Sequence, residues 1–227
     1  MIVAIIPARG GSKRIPRKNI KDFNGKPMIA WAIEEAKKSN LFDNIFVSTD
    51  DEEIKKISEK CGATVPFIRP INISDDHTPT VPVISHAIKE IDTLYKKVDF
   101  ACCIYPCSPL LLASDLIKSF DILQSTDKNY VYPVLEFPHS IFRSMRQLDD
   151  GKMEFIYPEH ELTRTQDLEE TFHDAGQFYW GRADAWRNLK KMHSGGVGMK
   201  IPSYRTVDID TEDDWKRAEL YSKLNLT

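Results

Sequence analysis

The chain has 227 residues, 41% hydrophobic and 29% charged, enough for one sizeable α/β domain and ordinary for a soluble globular protein. A formal net charge of −3 excludes a protein that carpets nucleic acid, and no apolar stretch approaches the length of a membrane span. The start of the chain lacks the basic n-region and long apolar core of a signal peptide, and four cysteines (Cys61, Cys102, Cys103, Cys107) fit neither a disulfide framework nor a zinc spacing, so reduced thiols in the cytoplasm are expected.

Taken in order, the chain opens on an apolar run (Ile2, Val3, Ala4, Ile5, Ile6) that reads as a buried strand ended by Pro7. A loop follows with Gly10 and Gly11 and, through Lys26, seven basic residues (Arg9, Lys13, Arg14, Arg17, Lys18, Lys21, Lys26) against one acid, Asp22. In a slightly acidic chain this is a local concentration of positive charge. A buried strand feeding a Gly-rich basic loop is how α/β proteins hold phosphate, with backbone N–H groups and cations converging on one anion. Neither G-x-x-x-x-G-K-[ST] nor G-x-G-x-x-G is present, so the loop is neither a P-loop nor a dinucleotide fingerprint.

The spacing of Ile29, Ala32, Ile33 and Ala36 predicts a helix over residues 27–38, with Pro27 at its first position. Residues 45–48 read as a strand, Asp50 as the cap of a helix carrying Ile54, Ile57 and Cys61, and residues 63–67 as a third strand. Residues 69–80 have no period and form a loop. Val83, Ile84, Ala87, Ile88, Ile91 and Tyr95 mark an amphipathic helix, residues 100–105 a buried strand, then a helix capped by Ser114 and a strand over 130–135. This rhythm predicts an α/β fold with a mostly parallel sheet sandwiched by helices.

Between residues 138 and 174 the rhythm breaks. A short strand over 153–157, a turn at Asp149-Asp150-Gly151 and much charge suggest an inserted arm, acting as lid, dimerisation element or both, within a single domain spanning 1–227. A strand over 176–180, a helix over 184–191, strands over 197–201 and 206–209, and a last helix opened by a Thr211/Asp214 capping box complete the chain.

Several side chains could carry chemistry. On a strand, Asp208 and Asp210 would face the same way and offer two hard oxygen ligands to Mg²⁺. Alone, D-x-D is better explained as a helix cap beside a solvated strand end; paired with a phosphate loop it reads as a metal pair. Arg69 suits either a phosphate or a carboxylate, whereas Asp75-Asp76-His77 could be an acid/base group, a metal site or a polar turn, with no catalytic role for His77. Tyr105 ends a buried strand, where open α/β sheets bind ligands, and Cys107 beside it has no base to activate it. Arg164 could clamp a substrate carboxylate, although on composition alone a surface arginine is the simpler reading.

Together, residues 7–19 (PARGGSKRIPRKN), Arg69-Pro70, Ser108-Pro109 and residues 208–215 (DIDTEDDW) resemble the cytidylyltransferases that activate nonulosonic, sialic-type acids as CMP-sugars, in the family's order and essentially end to end. Residues 173–181 (HDAGQFYWG) are most similar to the pseudaminic acid branch. Sialic acid enzymes usually carry Asn-Gly-Ala there, Gln in place of Tyr105, and Arg in place of Leu111. The resemblance implies a Rossmann-like nucleotidyltransferase fold, CTP as co-substrate, Mg²⁺, a homodimer built through the arm, and a product used in bacterial surface or flagellar decoration. It also implies that Arg9, Gly10, Gly11, Ser12, Lys18 and Asn19 grip CTP, with Arg69, Thr80 and Tyr105 near the cytidine. Asp208 and Asp210 would hold the metal, Lys18, Arg9 and Asp210 serve catalysis, and Arg164, Asp174 and Gln177 meet the sugar acid. The rivals are a cytidylyltransferase for another acid (legionaminic, N-acetylneuraminic or 3-deoxy-manno-octulosonic), a molybdenum-cofactor-type nucleotidyltransferase, and a non-catalytic nucleotide-binding regulator.

Overall fold

Residues 2–6 are apolar on both faces of the pleat, so the strand they form needs cover on both sides. The computed structural model describes residues 1–224, and residues 2–6 lie in β1 (Ile2–Pro7), inside a seven-stranded sheet. Ala4 and Ile6 pack into one layer with α1 (Met28–Ser39), α2 (Glu52–Lys60) and α4 (Ala113–Ser125). Val3 and Ile5 pack into the other with α3 (Thr80–Leu94) and α5 (Ala183–Arg187). Ile5, Ile6, Phe46, Trp180 and Trp186 are fully buried, each contributing about 1.5–3 kcal/mol.

The hairpin strands β2 (Asp22–Phe23) and β3 (Lys26–Pro27) lead into α1. The main sheet runs β11 (Val197–Lys200), β6 (Tyr130–Glu136), β10 (Phe178–Arg182), β5 (Phe100–Ile104), β1 and β4 (Asn44–Ser48). β1 is parallel to β4 and β5, and β11 to β6; β10 runs antiparallel between β5 and β6. β9 (Phe172–Asp174) also pairs antiparallel with β6 and is separated from β10 by a break at Gly176, whose φ of +65° suits glycine. The arm carries the hairpin of β7 (Met145–Gln147) and β8 (Met153–Phe155).

A third cluster positions the site. Ile15 from the basic loop, Phe23, Met28, Ile209, Trp215 and Ala218 pack together, so α6 (Glu212–Leu224) closes over the start of the chain. Phe23 meets Trp215 edge-on with ring centroids 5.5 Å apart.

Several local expectations are corrected. Asp51, not Asp50, caps α2, accepting from the N–H groups of Glu53 (3.0 Å) and Ile54 (2.9 Å); Asp50 instead accepts from the N–H of Gly10 at 3.0 Å. Ser114 does not cap α4, because Glu35 of α1 takes the Ala113 N–H at 2.8 Å. Pro27 precedes α1 rather than opening it. Residues 63–67 make only isolated bridges, such as Phe46 with Thr64, and residues 206–209 pair with no strand. α5 stops at Arg187, and Leu189 just beyond it has a left-handed φ of 53°. The Thr211/Asp214 capping box forms, with reciprocal bonds of 3.2 Å from Asp214 N–H to Thr211 Oγ1 and 2.9 Å from Thr211 N–H to Asp214 Oδ2.

Candidate active site

The parallel strands β1 and β5 end at a cavity of about 560 Å³, the place where open α/β sheets bind ligands. Arg9, Ser12, Lys18 and Asn19 line it from the basic loop, Arg69, Thr80 and Tyr105 from the sheet end and α3, and Asp208 and Asp210 from the far end of the chain. Side-chain bonds hold the loop in shape. Asn19, buried, donates from Nδ2 to the Arg9 carbonyl at 2.9 Å and accepts from the Cys107 thiol at 3.2 Å. Ser12 Oγ donates to the Ile15 carbonyl at 2.6 Å. Arg17 has a left-handed φ of 56°, held by a fork onto Asp51 at 2.6 and 2.9 Å and a further ion pair to Glu53.

Gly10 and Gly11 line no part of the cavity, and neither has positive φ. Gly10 is required by packing: a Cβ there would sit 2.6 Å from Asp51 Oδ2, whereas Gly11 has open space around it.

Lys18 ties the two chain ends together, donating to the Ile209 carbonyl at 2.5 Å with its Nζ 3.5 Å from Asp210 Oδ1. Arg14 Nη2 reaches the same carboxylate oxygen at 2.7 Å. Asp208 and Asp210 lie on a segment outside any sheet ladder, fixed by Ile209 in the third cluster and by the Asp214 carboxylate, which accepts from the Asp210 N–H at 3.2 Å. Partial burial and the neighbouring Asp210 charge push the Asp208 carboxyl above its usual range, a tension a divalent cation would relieve. Among the described residues no group of three or more His, Cys, Asp or Glu could hold a metal; the two carboxylates alone would leave most positions around a Mg²⁺ to phosphate and water oxygens.

Arg69 is only 4% exposed, bonds Ser74 Oγ through Nε at 3.1 Å, and keeps Nη2 without a hydrogen-bond partner, 3.8 Å from Asp50. A buried guanidinium with a free N–H lining this cavity suits a phosphate or carbonyl oxygen. Thr80 Oγ1 and the Tyr105 hydroxyl share a bond of 2.8 Å. Burial pushes Tyr105 up to about 12, so it stays a neutral phenol. Burial likewise holds the Cys107 thiol at about 12, so it is no nucleophile.

The residues expected at the sugar acid are more scattered. A second cavity of about 440 Å³ shares Val207 and Asp208 with the first and is lined by Asp174. Asp174 accepts from the Tyr179 hydroxyl at 2.5 Å and the Gly176 N–H at 3.0 Å, and lies 3.1 Å from His193 Nε2. Gln177 is buried and lines neither cavity; its amide donates to the Arg205 carbonyl, and its own carbonyl receives the Tyr105 N–H at 2.8 Å. Arg164 is exposed on the arm and lines neither cavity. Arg14 and Asp76 also line the first cavity, and the contacts that hold them there, to Asp210 and Lys13, lie far off in the chain where no local spacing points to them.

Residues 3–185 match the cytidylyltransferase family. The chain is 38% identical to a pseudaminic acid cytidylyltransferase of Campylobacter jejuni subsp. jejuni, over 98% of this chain and 97% of that one. It is 32% identical to N-acylneuraminate cytidylyltransferase A of Danio rerio, over 96% of this chain and 50% of that one. A solved structure of CMP:2-keto-3-deoxy-manno-octonic acid synthetase complexed with CTP shares the fold with a TM-score of 0.73 at 17% identity, covering 99% of both chains. Since the family match runs from β1 into α5 and the C. jejuni likeness covers 98% of the chain, the chain belongs to the cytidylyltransferases.

Proposed function

We propose that this protein transfers a cytidylyl group from CTP to a nine-carbon nonulosonic acid, pseudaminic acid, giving the CMP-sugar and pyrophosphate, with Mg²⁺ and as a homodimer. The observation that carries this reading is the meeting of Lys18 with the Asp208–Asp210 segment in one cavity at the strand ends. The anomeric oxygen of the acid bonds to the α-phosphorus, the bond from that phosphorus to the pyrophosphate oxygen breaks, and the hydroxyl proton is lost to solvent. Such a displacement asks the protein mainly for alignment and for charge to balance the phosphate oxygens. Lys18 and Arg9 supply that charge, and Arg69 offers its free N–H. Asp208 and Asp210 would hold Mg²⁺, which when bound polarises the α-phosphate and acidifies the attacking hydroxyl. Thr80 and Tyr105 form a neutral hydrogen-bonding pair for the cytidine end, with Gln177 bracing Tyr105 through its backbone carbonyl.

The acid occupies the adjoining cavity, where Asp174 can accept from its hydroxyls and the shared Asp208 wall brings it beside the α-phosphate. Pseudaminic acid as acceptor is supported by the 38% identity to the C. jejuni enzyme against 32% to the N-acylneuraminate enzyme. The arm at 138–174 exposes Met153, Ile156 and Leu162, the last 95% exposed. Covering such side chains with a second copy gives the arm its role, and delivers Arg164 toward the neighbour's acid carboxylate. The protein works in the cytoplasm, where CTP is made. Its four cysteines are free thiols, and among the described residues no helix is long and apolar enough to cross a membrane.

Pyrophosphate release measured across a panel of nucleotides and nine-carbon acids tests the reading. Release that requires CTP, Mg²⁺ and pseudaminic acid is expected; CTP binding with no release for any acid would point to a regulator instead.

A further inference from the structure

Asp76 is a carboxylate in the cavity wall, paired with two of the cations that line it. Asp75 beside it accepts from the N–H groups of His77 (2.9 Å) and Thr78 (2.6 Å) and from the Thr78 hydroxyl (2.8 Å), closing a tight turn. That turn presents Asp76 to the wall of the nucleotide cavity. One Asp76 oxygen pairs with the Arg9 guanidinium, and the other meets Lys13 Nζ at 2.5 Å. Arg9 and Lys13 both line the cavity, and among the described residues their side chains have no other ion-pair partner. Lys13 and Arg9 together hold the Asp76 carboxyl down at about 2, so it is charged whenever the protein works.

The other carboxylates on the loop's cations have different circumstances. Asp51 and Glu53, which hold Arg17, lie outside the cavity lining, as do Arg17 itself, Lys21 with Glu212, and Lys26 with Glu34. Asp210, which meets Arg14 and Lys18, is one of the two proposed metal ligands and so gains a cation when the substrate arrives. Asp76 gains nothing: a triphosphate that engages Arg9 and Lys13 must take them from it.

We infer that Asp76 is an internal competitor for the phosphate-binding cations, a role that rests on this cavity being the CTP site. It holds Arg9 and Lys13 while no triphosphate is present, gives them up when CTP binds, and takes them back as pyrophosphate leaves. The exchange is anion for anion, so the two cations stay compensated throughout. The pairs are partly exposed, with Asp76 at 32% and Lys13 at 81% of their side-chain surface, and such pairs are weak enough for a triphosphate to displace. The cost to nucleotide affinity is correspondingly modest, and the gain is easier release of a highly charged product.

The test is calorimetric binding of CTP, and of inorganic pyrophosphate, to the wild type, Asp76→Asn and Asp76→Glu, with melting temperatures as a check on folding. Asp76→Asn should bind both ligands about fivefold more tightly, and Asp76→Glu, which keeps the charge, should return affinity toward the wild type. A carboxylate that merely orders the loop gives the opposite sign, so unchanged or weaker binding by Asp76→Asn overturns the competitor role. A wild type that binds no CTP overturns the nucleotide assignment of the cavity instead, which keeps the two failures distinct.

Discussion

Lys18 and Ile209 stand 191 residues apart and share a hydrogen bond, whereas Arg146 and Glu154, eight apart, make the cross-strand ion pair of the arm's hairpin. The first cavity is thus a long-range structure, closed by the third apolar cluster and by ion pairs between the two chain ends. The arm is local: β7 and β8 pair with each other, and Met145, Leu148 and Met153 face outward. Burial within one chain completes the first region; the second leaves apolar side chains at the surface.

That contrast can be broken at either end. The largest effect should come from Trp215→Ala, which opens the cluster joining the chain ends and should cost about 3–5 kcal/mol of stability. Denaturant unfolding checks it, and a loss below about 1 kcal/mol would mean that the cluster does not hold the cavity shut. Next comes Asp210→Asn, expected to slow pyrophosphate release by about 100-fold with little change in melting temperature. Near-normal turnover would remove the metal assignment.

Leu162→Asp on the arm should leave the monomer's fold intact while weakening self-association by about 2 kcal/mol, read by light scattering across a concentration series. Full activity from a species that stays monomeric would remove the arm's proposed role. The smallest effect concerns Asp51. Its hydrogen bonds from Arg17 outweigh partial burial and draw its carboxyl from 3.8 down to about 2 in the folded chain. A folded pKa below the unfolded one stabilises at higher pH, so this contribution is present above about pH 4 and fades as pH falls toward 2. With the exposure of Arg17 discounted, it amounts to about 1 kcal/mol. Arg17→Met should flatten that part of the stability profile; an unchanged slope would show the pair to be inert.

Much of this was legible in the sequence where the physics is local. β1, α1, α3 and β5 follow from apolar period, and the α6 capping box from a Thr and an Asp three residues apart. The apolar-acidic alternation of residues 206–209 looks like a strand, yet no strand forms there. In the structure Asp208 and Asp210 reach one cavity without a ladder, because Ile209 is buried and Asp214 receives the Asp210 N–H. For Asp75-Asp76-His77 the sequence leaves an acid/base group, a metal site and a polar turn open; the turn forms, but Asp76's partners Arg9 and Lys13 lie more than 60 residues away. No local spacing announces such a pair. Arg164 shows the same limit from the other side, since it lines neither of its own chain's cavities.

The central claim is that the basic loop and the acidic segment act as one unit on one triphosphate. A double-mutant cycle measures it most directly, comparing turnover at saturating CTP, acid and Mg²⁺ for the wild type, Lys18→Ala, Asp210→Asn and the pair. Residues that serve one transition state together are non-additive, so the double variant should be about as slow as the worse single variant. Losses that multiply, each about 100-fold on top of the other, would mean that Lys18 and Asp210 act independently and contradict the account.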